Sequence, residues 1–385
     1  MSSRFVYLAI LSLSGFVTSF GAHIVATNLP AYAESVGAGA FMIGLLIAVY
    51  DFAELFAKTA AGFIADRRGM KPILLLGLIV FIVGSVLFLV IPARMLLLVR
   101  FVQGLGAAAL STVSISLVAR YFETARGRAF GIYNAIKGAG YVVAPATGGF
   151  LAHKYGFAAI FVVSAGIGVV AFMLSLLLPS DRGAALEADD DEPSFREALS
   201  IFADPRLLPI YVVIVINMFL VGILFGFLPV YLHGLGYSAA ESGAVLSIAT
   251  AAYLLVQPLA GFAADRYDIR TTVLAGLFLA ALSIISMTFT SGWMLVLIVV
   301  SAGIGIGTVW TNSDALVGAS AAASKLGASI GAAQSFKEFG DMIGPLLVGA
   351  LTQFFGVRVG FVTCGSIALL ALAFLGRSAS LRRSS

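Results

Sequence analysis

Residues 72–91 read PILLLGLIVFIVGSVLFLVI, a run of twenty residues without a charged side chain. A helix of this length rises about 30 Å, which matches the hydrocarbon core of a bilayer. Because backbone groups in lipid must be hydrogen-bonded within the segment itself, such a run is typical of a spanning helix. We therefore predict that residues 72–91 cross a membrane.

Similar apolar runs recur along the 385 residues, which are 60% hydrophobic and only 11% charged. A soluble domain has about 25% charged residues. We predict an all-α polytopic membrane protein, embedded in the lipid bilayer, with twelve transmembrane spans at residues 5–29, 40–64, 72–91, 95–119, 129–152, 157–179, 207–232, 241–263, 271–290, 293–318, 326–353 and 357–376. The first run is too long for a cleaved signal peptide and has a counterpart in the second half of the chain.

The two halves of the chain match at a nearly constant offset. Residues 28–32 (NLPAY) correspond to residues 227–231 (FLPVY), and Lys137 and Pro145 correspond to Lys337 and Pro345. Offsets of 199 and then 200 indicate a duplication, which predicts two pseudo-symmetric six-helix bundles. Internal repeats of this kind are typical of secondary transporters, whose substrate site lies between the repeats.

The basic residues predict the orientation. One set of predicted loops holds sixteen Lys and Arg residues, and the opposite set holds three, which are Arg94, Lys154 and Arg358. The positive-inside rule then places both termini in the cytoplasm of a cell whose plasma, or inner, membrane holds the protein. The one long polar stretch, rich in acidic residues, is a predicted cytoplasmic linker, so the predicted domains are an N-terminal bundle at 1–179, the linker at 180–206 and a C-terminal bundle at 207–385.

Between the second and third spans the chain reads GFIADRRGMK, from Gly62 to Lys71. This resembles the loop G-x-x-x-D-R/K-x-G-R/K-R/K of the major facilitator superfamily, with Met70 in place of a basic residue. The glycines permit close packing and a tight turn. The resemblance implies that Asp66 and the neighbouring bases hold one conformation of an alternating-access cycle. A second copy, at residues 261–266, is degenerate after Arg266.

Two further motifs resemble those of the twelve-helix drug:proton antiporter branch of this superfamily. Residues 100–104 (RFVQG) resemble the R-x-x-Q-G element that is associated with proton coupling, and residues 140–149 resemble the antiporter motif G-x-x-x-G-P-x-x-G-G, with Ala144 where glycine is usual. Glycine and proline there also serve packing and kinking, a role that does not exclude gating. The predicted gating residues are Gly62, Asp66, Arg67, Gly69, Gly140, Pro145, Gly148, Gly149, Asp265, Arg266 and Pro345.

Ionisable residues occur inside the predicted spans. Asp51, Glu54 and Lys58 are spaced i, i+3 and i+7, so they share one face of the second span. Each charge near the bilayer centre costs about 2.5–3.5 kcal/mol, so it should face a partner or a wet cavity. The second half has Thr250, Tyr253 and Gln257 at the matching positions, and this asymmetry favours function over structural ion pairing.

A carboxylate whose pKa is balanced between burial and a nearby cation can carry a proton. The proton-coupling candidates are Asp51 and Glu54, with Arg100 and Gln103 added by the resemblance. The substrate-cavity candidates are Lys58, Asn134, Lys137, Tyr141, Trp310, Lys337, Glu338 and Asp341. The alternative is that these charges are structural pairs, such as Glu54 with Lys58, and that Trp310 is a packing or interfacial aromatic.

The leading functional hypothesis is proton-coupled export of a small organic molecule or drug by a protein that works as a monomer. Proton-coupled uptake is the alternative, and a membrane enzyme, sensor or channel is a less favoured reading. No catalytic residues are predicted, because the histidines, His23, His153 and His233, are scattered and Cys364 is the single cysteine. For the same reason no metal or cofactor is predicted, and no phosphate-binding loop for ATP is present. No cluster of bases with aromatics points to nucleic acid.

Overall fold

The computed structural model describes residues 2–122, 126–179, 202, 204–321 and 326–377. It also describes the side chains in these ranges, except those of residues 2–4, 66, 126–128, 326–328 and 376–377. Within these ranges the α-helices, numbered in chain order, are α1 (Ser2–Ala26), α2 (Leu29–Ser35), α3 (Ala40–Arg68), α4 (Met70–Val90), α5 (Leu96–Tyr121), α6 (Arg126–Tyr155), α7 (Phe157–Ser175), α8 (Leu208–Gly234), α9 (Ala239–Arg266), α10 (Ile269–Ser286), α11 (Gly292–Ser320), α12 (Leu326–Phe355) and α13 (Val357–Arg377). Short 3-10 segments, Ala93–Met95 and Met287–Phe289, precede α5 and follow α10.

Each predicted span corresponds to one long helix, and α2 is an additional short helix. In the described chain, ten helical stretches are long and apolar enough to cross a membrane. The other two long helices, α6 and α12, have 30 residues each. They are less uniformly apolar because α6 is rich in glycine and α12 carries three ionisable residues in adjacent turns. The all-α polytopic fold of twelve long helices is confirmed.

The first helix ends three residues before the predicted end of the first span. Instead of continuing to residue 29, α1 stops at Ala26, and α2 begins at Leu29. Pro30 lies in the first turn of α2, where the missing backbone N–H of proline costs nothing. The side chain of Asn28 donates a hydrogen bond to the carbonyl of Ile24 at 2.9 Å, which satisfies one of the free acceptors at the end of α1.

Single glycines separate helices that follow each other directly. Gly69, Gly156 and Gly356 have φ values of 95°, 81° and 84°, in the left-handed region that only glycine adopts freely. Each allows the chain to end one helix and begin the next within one residue. Gly156 and Gly356 are 200 residues apart, so this turn occurs at matching positions of the two sequence halves.

By its contacts the chain divides into two compact units. The first unit comprises Met1–Ala38, Leu45–Asp190 and Leu232–Ser247, and the second comprises Gly39–Gly44, Asp191–Tyr231 and Ile248–Ser385. Each unit holds most of one sequence half and a short segment of the other. The predicted division into two bundles with a linker at 180–206 stays a prediction, because residues 180–201 lie outside the described chain.

The same backbone crossing occurs once in each unit. In the first unit α4 crosses α5, and a Cβ on Gly106 would lie 2.7 Å from the backbone nitrogen of Phe81. In the second unit α10 crosses α11, and a Cβ on Gly305 would lie 2.6 Å from the backbone nitrogen of Ala280. Both pairs are related by the offset of 199. Since lipid provides no hydrophobic drive for helix association, such close packing of small residues is what holds the helices together.

We predict that Gly106→Ala destabilises the protein, whereas Gly166→Ala does not. A methyl group on Gly106 meets backbone atoms that cannot rotate away, while a methyl group on Gly166 meets nothing within 4 Å. Overpacking of this kind costs about 1–3 kcal/mol. The melting temperature in detergent, followed with a dye that reacts with the buried thiol of Cys364 on unfolding, measures the effect. Equal melting temperatures for the two variants would contradict the assigned crossing.

Candidate functional site

Helix α3 places two carboxylates and one ammonium group on one face in the first unit. The side chains of Asp51 and Glu54 are buried, with 7% and 9% of each residue exposed. The ammonium of Lys58 lies 2.5 Å from a carboxylate oxygen of Glu54, one turn back along the helix. The predicted pairing of Glu54 with Lys58 is therefore present, and Lys58 is partly buried rather than free in solvent.

Arg100, on α5, is buried to 1% exposure against this face of α3. Its Nε donates a hydrogen bond to the carbonyl of Leu46 at 3.1 Å, and its Nη1 donates to the side-chain oxygen of Gln103 at 2.7 Å. Asp51 and Glu54 both lie within electrostatic range of the guanidinium. The structure thus brings together all four proton-coupling candidates.

Tyr50 belongs to the same cluster, although the sequence did not point to it. The guanidinium carbon of Arg100 lies 4.3 Å from the centroid of the Tyr50 ring, a cation–π contact. The hydroxyl of Tyr50 also bonds to Glu54. Tyr50 therefore links the cation and one of the acids. The i, i+4 spacing of Tyr50 and Glu54 is the signal that would have suggested this contact.

His23, on α1, is a second residue that the sequence did not assign to the site. Its ring lies 4.3 Å, centroid to centroid, from the ring of Tyr141 on α6, and its Nδ1 is 2.9 Å from the carbonyl of Ser19. The charges of Glu54, Arg100 and Lys137 all act on it. No pattern in the sequence singles it out, because its neighbours come from three other helices.

On α6, two of the three predicted cavity residues lie close to this group. Tyr141 contacts His23, and the backbone carbonyl of Lys137 accepts a hydrogen bond of 2.6 Å from the hydroxyl of Ser19. The Lys137 side chain is partly buried, whereas Asn134 is exposed. Lys137 and Tyr141 therefore border the cluster, which we call the Arg100 cluster: His23, Tyr50, Asp51, Glu54, Lys58, Arg100 and Gln103.

The second unit holds a separate group of ionisable and aromatic side chains. Lys337, on α12, lies 2.7 Å from both carboxylate oxygens of Asp314 on α11. Its ammonium also lies 4.4 Å from the centroid of the Trp310 ring. Glu338 and Asp341, the acids that the sequence grouped with Lys337, are partly buried on the same helix. Among the described residues, no group of histidine, cysteine and acidic side chains is arranged to hold a metal ion.

Two basic residues of the loop motif, Arg67 and Lys71, lie in different environments. Arg67 is exposed, with its guanidinium carbon 4.0 Å from the centroid of the Phe63 ring. Lys71 donates hydrogen bonds to the carbonyl of Leu176, at 2.7 Å, and to that of Leu178. It thereby caps the end of α7, where unpaired carbonyls and the helix dipole favour a cation. The side chain of Asp66 lies outside the described residues, so its predicted role in a latch stays a prediction.

The two motif glycines differ in what they do. Gly69 makes the turn between α3 and α4, as predicted. A Cβ on Gly62 would lie 3.6 Å from the nearest atom, a methyl of Thr112, which is ordinary contact. Close helix packing is therefore not the reason for glycine at position 62.

After the second copy of the motif, the next helix starts with a capping residue instead of a glycine turn. Asp265 and Arg266 are exposed at the end of α9. Two residues later, the carboxylate of Asp268 accepts a hydrogen bond of 2.9 Å from the backbone N–H of Thr271, which caps α10. This backbone hydrogen bond lowers the pKa of Asp268 below its usual value. Asp268 stands where the first copy has Gly69, so a capped start replaces a glycine turn.

The glycines of the α6 motif fall into two groups. A Cβ on Gly140 would lie 2.4 Å from the hydroxyl of Ser19, and one on Gly148 would lie 2.3 Å from the side-chain nitrogen of Asn28, so both glycines allow α1 to approach. Gly149 instead faces the backbone of Ala239, at 2.2 Å from a Cβ placed on it. These residues all belong to the first unit.

The helix-breaking prolines each face a glycine. A Cβ on Gly243 would lie 2.2 Å from the carbonyl oxygen of Pro145, and one on Gly44 would lie 2.3 Å from that of Pro345. Both glycines lie near the start of their helices, and they are 199 residues apart. Proline leaves the carbonyl one turn before it without its usual donor and bends the helix. The assignment of these positions to gating stays a prediction.

Comparison with known proteins gives a consistent result. The model of the Major Facilitator Superfamily matches residues 11–252 and 232–384. The Multidrug resistance protein MdtG of Citrobacter koseri is 25% identical over 390 residues, which cover 98% of this chain and 95% of that protein. MdtG of Escherichia fergusonii is 26% identical over 396 residues, with coverages of 98% and 95%.

Solved structures resemble this fold at low sequence identity. A bacterial homologue of the human lysosomal transporter Spinster, in an inward-facing and unoccupied conformation, gives a TM-score of 0.86 at 18% identity, covering 98% of this chain and 97% of that chain. The nucleoside transporter NupG, as its D323A mutant, gives 0.84 at 13% identity, with coverages of 96% and 99%. A D-xylose-proton symporter gives 0.75 at 15% identity, covering 97% of each chain.

We predict that Arg100→Gln strongly destabilises the protein and that Arg100→Lys is intermediate. Removing one partner of a buried charged group costs about 3–5 kcal/mol, because the remaining charges lose their compensation. Lysine keeps the charge but has no planar fork to reach Leu46, Gln103 and the Tyr50 ring together. Melting temperatures measured through the Cys364 thiol check this, with the exposed Arg94→Lys as matched control. If Arg100→Lys melts like the control, the fork contacts do not matter.

Proposed function

This chain belongs to the Major Facilitator Superfamily and is therefore a membrane transporter rather than an enzyme, and we propose that it exports a small organic molecule in exchange for protons. The Arg100 cluster carries this proposal, because it holds two buried carboxylates beside a cation that cannot lose its proton. The resemblance of the whole chain to proteins named for multidrug resistance supports the direction of transport.

The formal charges of the cluster explain how a proton would act there. Asp51 and Glu54 carry two negative charges, and Lys58 and Arg100 carry two positive charges, so the group is balanced when both acids are ionised. A proton on either carboxylate leaves one cation uncompensated. In a buried site of low dielectric constant this is a large electrostatic change, which favours a different arrangement of the surrounding helices. A proton bound or released there therefore shifts a conformational equilibrium.

The contacts of each acid suggest different parts in this exchange. Glu54 is bonded to both Lys58 and Tyr50, and it acts on His23 as well. Protonation of Glu54 weakens the pair with Lys58 and releases that ammonium. Asp51, on the same face of α3 as Glu54, lies within electrostatic range of Arg100 on α5. We assign proton exchange to this pair of acids, with Arg100 as the fixed positive charge beside them.

The rest of the proposal follows from the family and the sequence. Alternating access moves the protein between two conformations, with the glycine and proline positions of α6 and α12 as the places where helices bend and approach. The basic residues support a plasma-membrane protein with both termini in the cytoplasm. We propose that the transporter is active as a monomer. The second candidate is proton-coupled uptake, favoured by the fold similarity to the D-xylose-proton symporter.

We predict opposite pH changes for the two candidates in proteoliposomes that contain a trapped pH-sensitive dye and no initial pH gradient. Addition of tetraphenylphosphonium, uridine or D-xylose outside should raise the internal pH if the protein exchanges substrate for protons. Symport of any of these three compounds with protons would lower the internal pH, whichever way the protein is inserted in the liposome membrane. An internal acidification that depends on the protein would overturn the proposed export mechanism.

The acids are tested in the same assay. Asp51→Asn and Glu54→Gln should each reduce the substrate-driven pH change to the level of empty liposomes, because neither side chain can then ionise. The control is Glu34→Gln, which removes a carboxylate from the exposed face of α2 and should retain the full response. Unchanged proton movement in both buried variants would show that the Arg100 cluster does not couple protons.

A further inference from the structure

The ion pair between Asp314 and Lys337 has an unequal exposure to solvent. The side chain of Asp314 is 43% exposed, whereas that of Lys337 is 5% exposed. Both carboxylate oxygens lie 2.7 Å from the same ammonium. A molecule that approaches from solvent therefore meets the acid first, and the lysine lies behind it.

Two aromatic rings lie close to this ion pair. Trp310 precedes Asp314 by one helical turn on α11, and its ring lies 4.4 Å from the Lys337 ammonium. Tyr253, on α9, lies edge-on to Trp310, with the ring centroids 5.7 Å apart and an angle of 82° between the planes. Both aromatic side chains are partly buried. The side chain of Asn312 donates to the carbonyl of Ala260 at 3.3 Å and holds α11 against α9 at this level.

A carboxylate close to the face of a tryptophan ring is the chemistry that recognises an organic ammonium ion. The ring face attracts the cation through its quadrupole, and the carboxylate neutralises its charge. The ammonium of Lys337 makes both contacts, with Asp314 and with the Trp310 ring. It therefore occupies the position that the charged head of such a ligand would take.

We propose that Asp314, Trp310 and Tyr253 form a binding site for small aromatic or alkyl ammonium ions, and that Lys337 is a tethered occupant which the ligand displaces. This inference rests on the proposed function, since it names the class of molecule that the transporter carries. Exchange of one cation for another leaves the carboxylate paired throughout. The flexible four-carbon stem of lysine provides the side-chain rotation that this displacement needs.

The exposure favours a cationic rather than an anionic ligand. An anion would have to pair with Lys337, which is almost fully covered, and it would approach past the exposed negative charge of Asp314. A cation meets the exposed carboxylate of Asp314 first, with the partly buried ring of Trp310 beside the same ion pair. Like-charge repulsion therefore excludes the anion from the accessible side of the pair.

The chain provides an internal reporter for this site, since Trp310 and Trp293 are its two tryptophans. Trp293 is 71% exposed at the start of α11, almost five turns from Trp310. In a Trp293→Phe background, the fluorescence of the full chain in lipid nanodiscs reports on Trp310 alone. We would titrate this protein with benzyltrimethylammonium and, in parallel, with benzylsulfonate, which carries the same aromatic group with the opposite charge.

The expected result is saturable binding of benzyltrimethylammonium, with a Kd that falls by about tenfold or more in Lys337→Met, because a tethered competitor acts at millimolar effective concentration. The double variant Asp314→Asn/Lys337→Met removes both charges, so it leaves no unpaired buried cation and should fold. The double variant should lose the affinity for benzyltrimethylammonium that Lys337→Met gains. The melting temperature measured through Cys364 confirms that each variant is folded.

Three results would overturn the assignment. The first is that the double variant binds benzyltrimethylammonium as tightly as Lys337→Met does. The second is that benzylsulfonate binds and that this binding is lost in Lys337→Met. The third is that folded Lys337→Met shows no saturable fluorescence change with benzyltrimethylammonium. These binding results do not depend on transport. Failure of the liposome assay with intact cation binding would therefore reject proton exchange and not this site, whereas proton exchange with failed binding would reject only the site.

Discussion

The permanent charge of Arg100 is the constraint on which the first unit depends. A guanidinium stays protonated in proteins, and at 1% exposure it has no bulk water around it. Its stabilisation comes from the carbonyl of Leu46, the amide of Gln103 and the ring of Tyr50. Close backbone packing brings these groups within reach, because a Cβ on Gly104 would lie 2.6 Å from the carbonyl oxygen of Tyr50. The contact between α3 and α5 therefore both packs the two helices together and stabilises the charge of Arg100.

The second unit keeps this packing without the charge. A Cβ on Gly303, the counterpart of Gly104, would lie 2.3 Å from the carbonyl oxygen of Ala249, the counterpart of Tyr50. At the positions of Arg100 and Gln103 stand the buried apolar residues Val299 and Ala302. The second unit therefore has the same close backbone contact but apolar side chains in place of the arginine and the glutamine. The second unit has placed its own charged and aromatic group elsewhere, between α11 and α12.

The helices were predictable from the sequence because each apolar run is long enough to form one, and every boundary of a long helix lies within about four residues of the predicted one. The acids on α3 were predictable because their spacing lies within one helix. Partners on different helices were not. Lys337 was grouped with its sequence neighbours Glu338 and Asp341, yet it contacts Asp314 on α11, and His23 joins the Arg100 cluster only through the packing of α1 against other helices. Hydrophobic periodicity shows which face of a helix is polar but not which helix it meets.

The contact between α3 and α5 also bears on how the protein is made. Ribosomal synthesis delivers α3 to the translocon before α5, so Asp51, Glu54 and Tyr50 have already left the ribosome when Arg100 emerges. Arg100 is the fifth residue of α5, and an arginine within a spanning segment opposes membrane insertion, at a cost that reaches about 2.5–3.5 kcal/mol at the helix centre. The nascent chain meets this obstacle with the counter-charges already in place, so the order of the residues along the chain is itself favourable to biogenesis. Reversing that order, as a circular permutation beginning at α4 would, presents the arginine to the membrane before its partners exist.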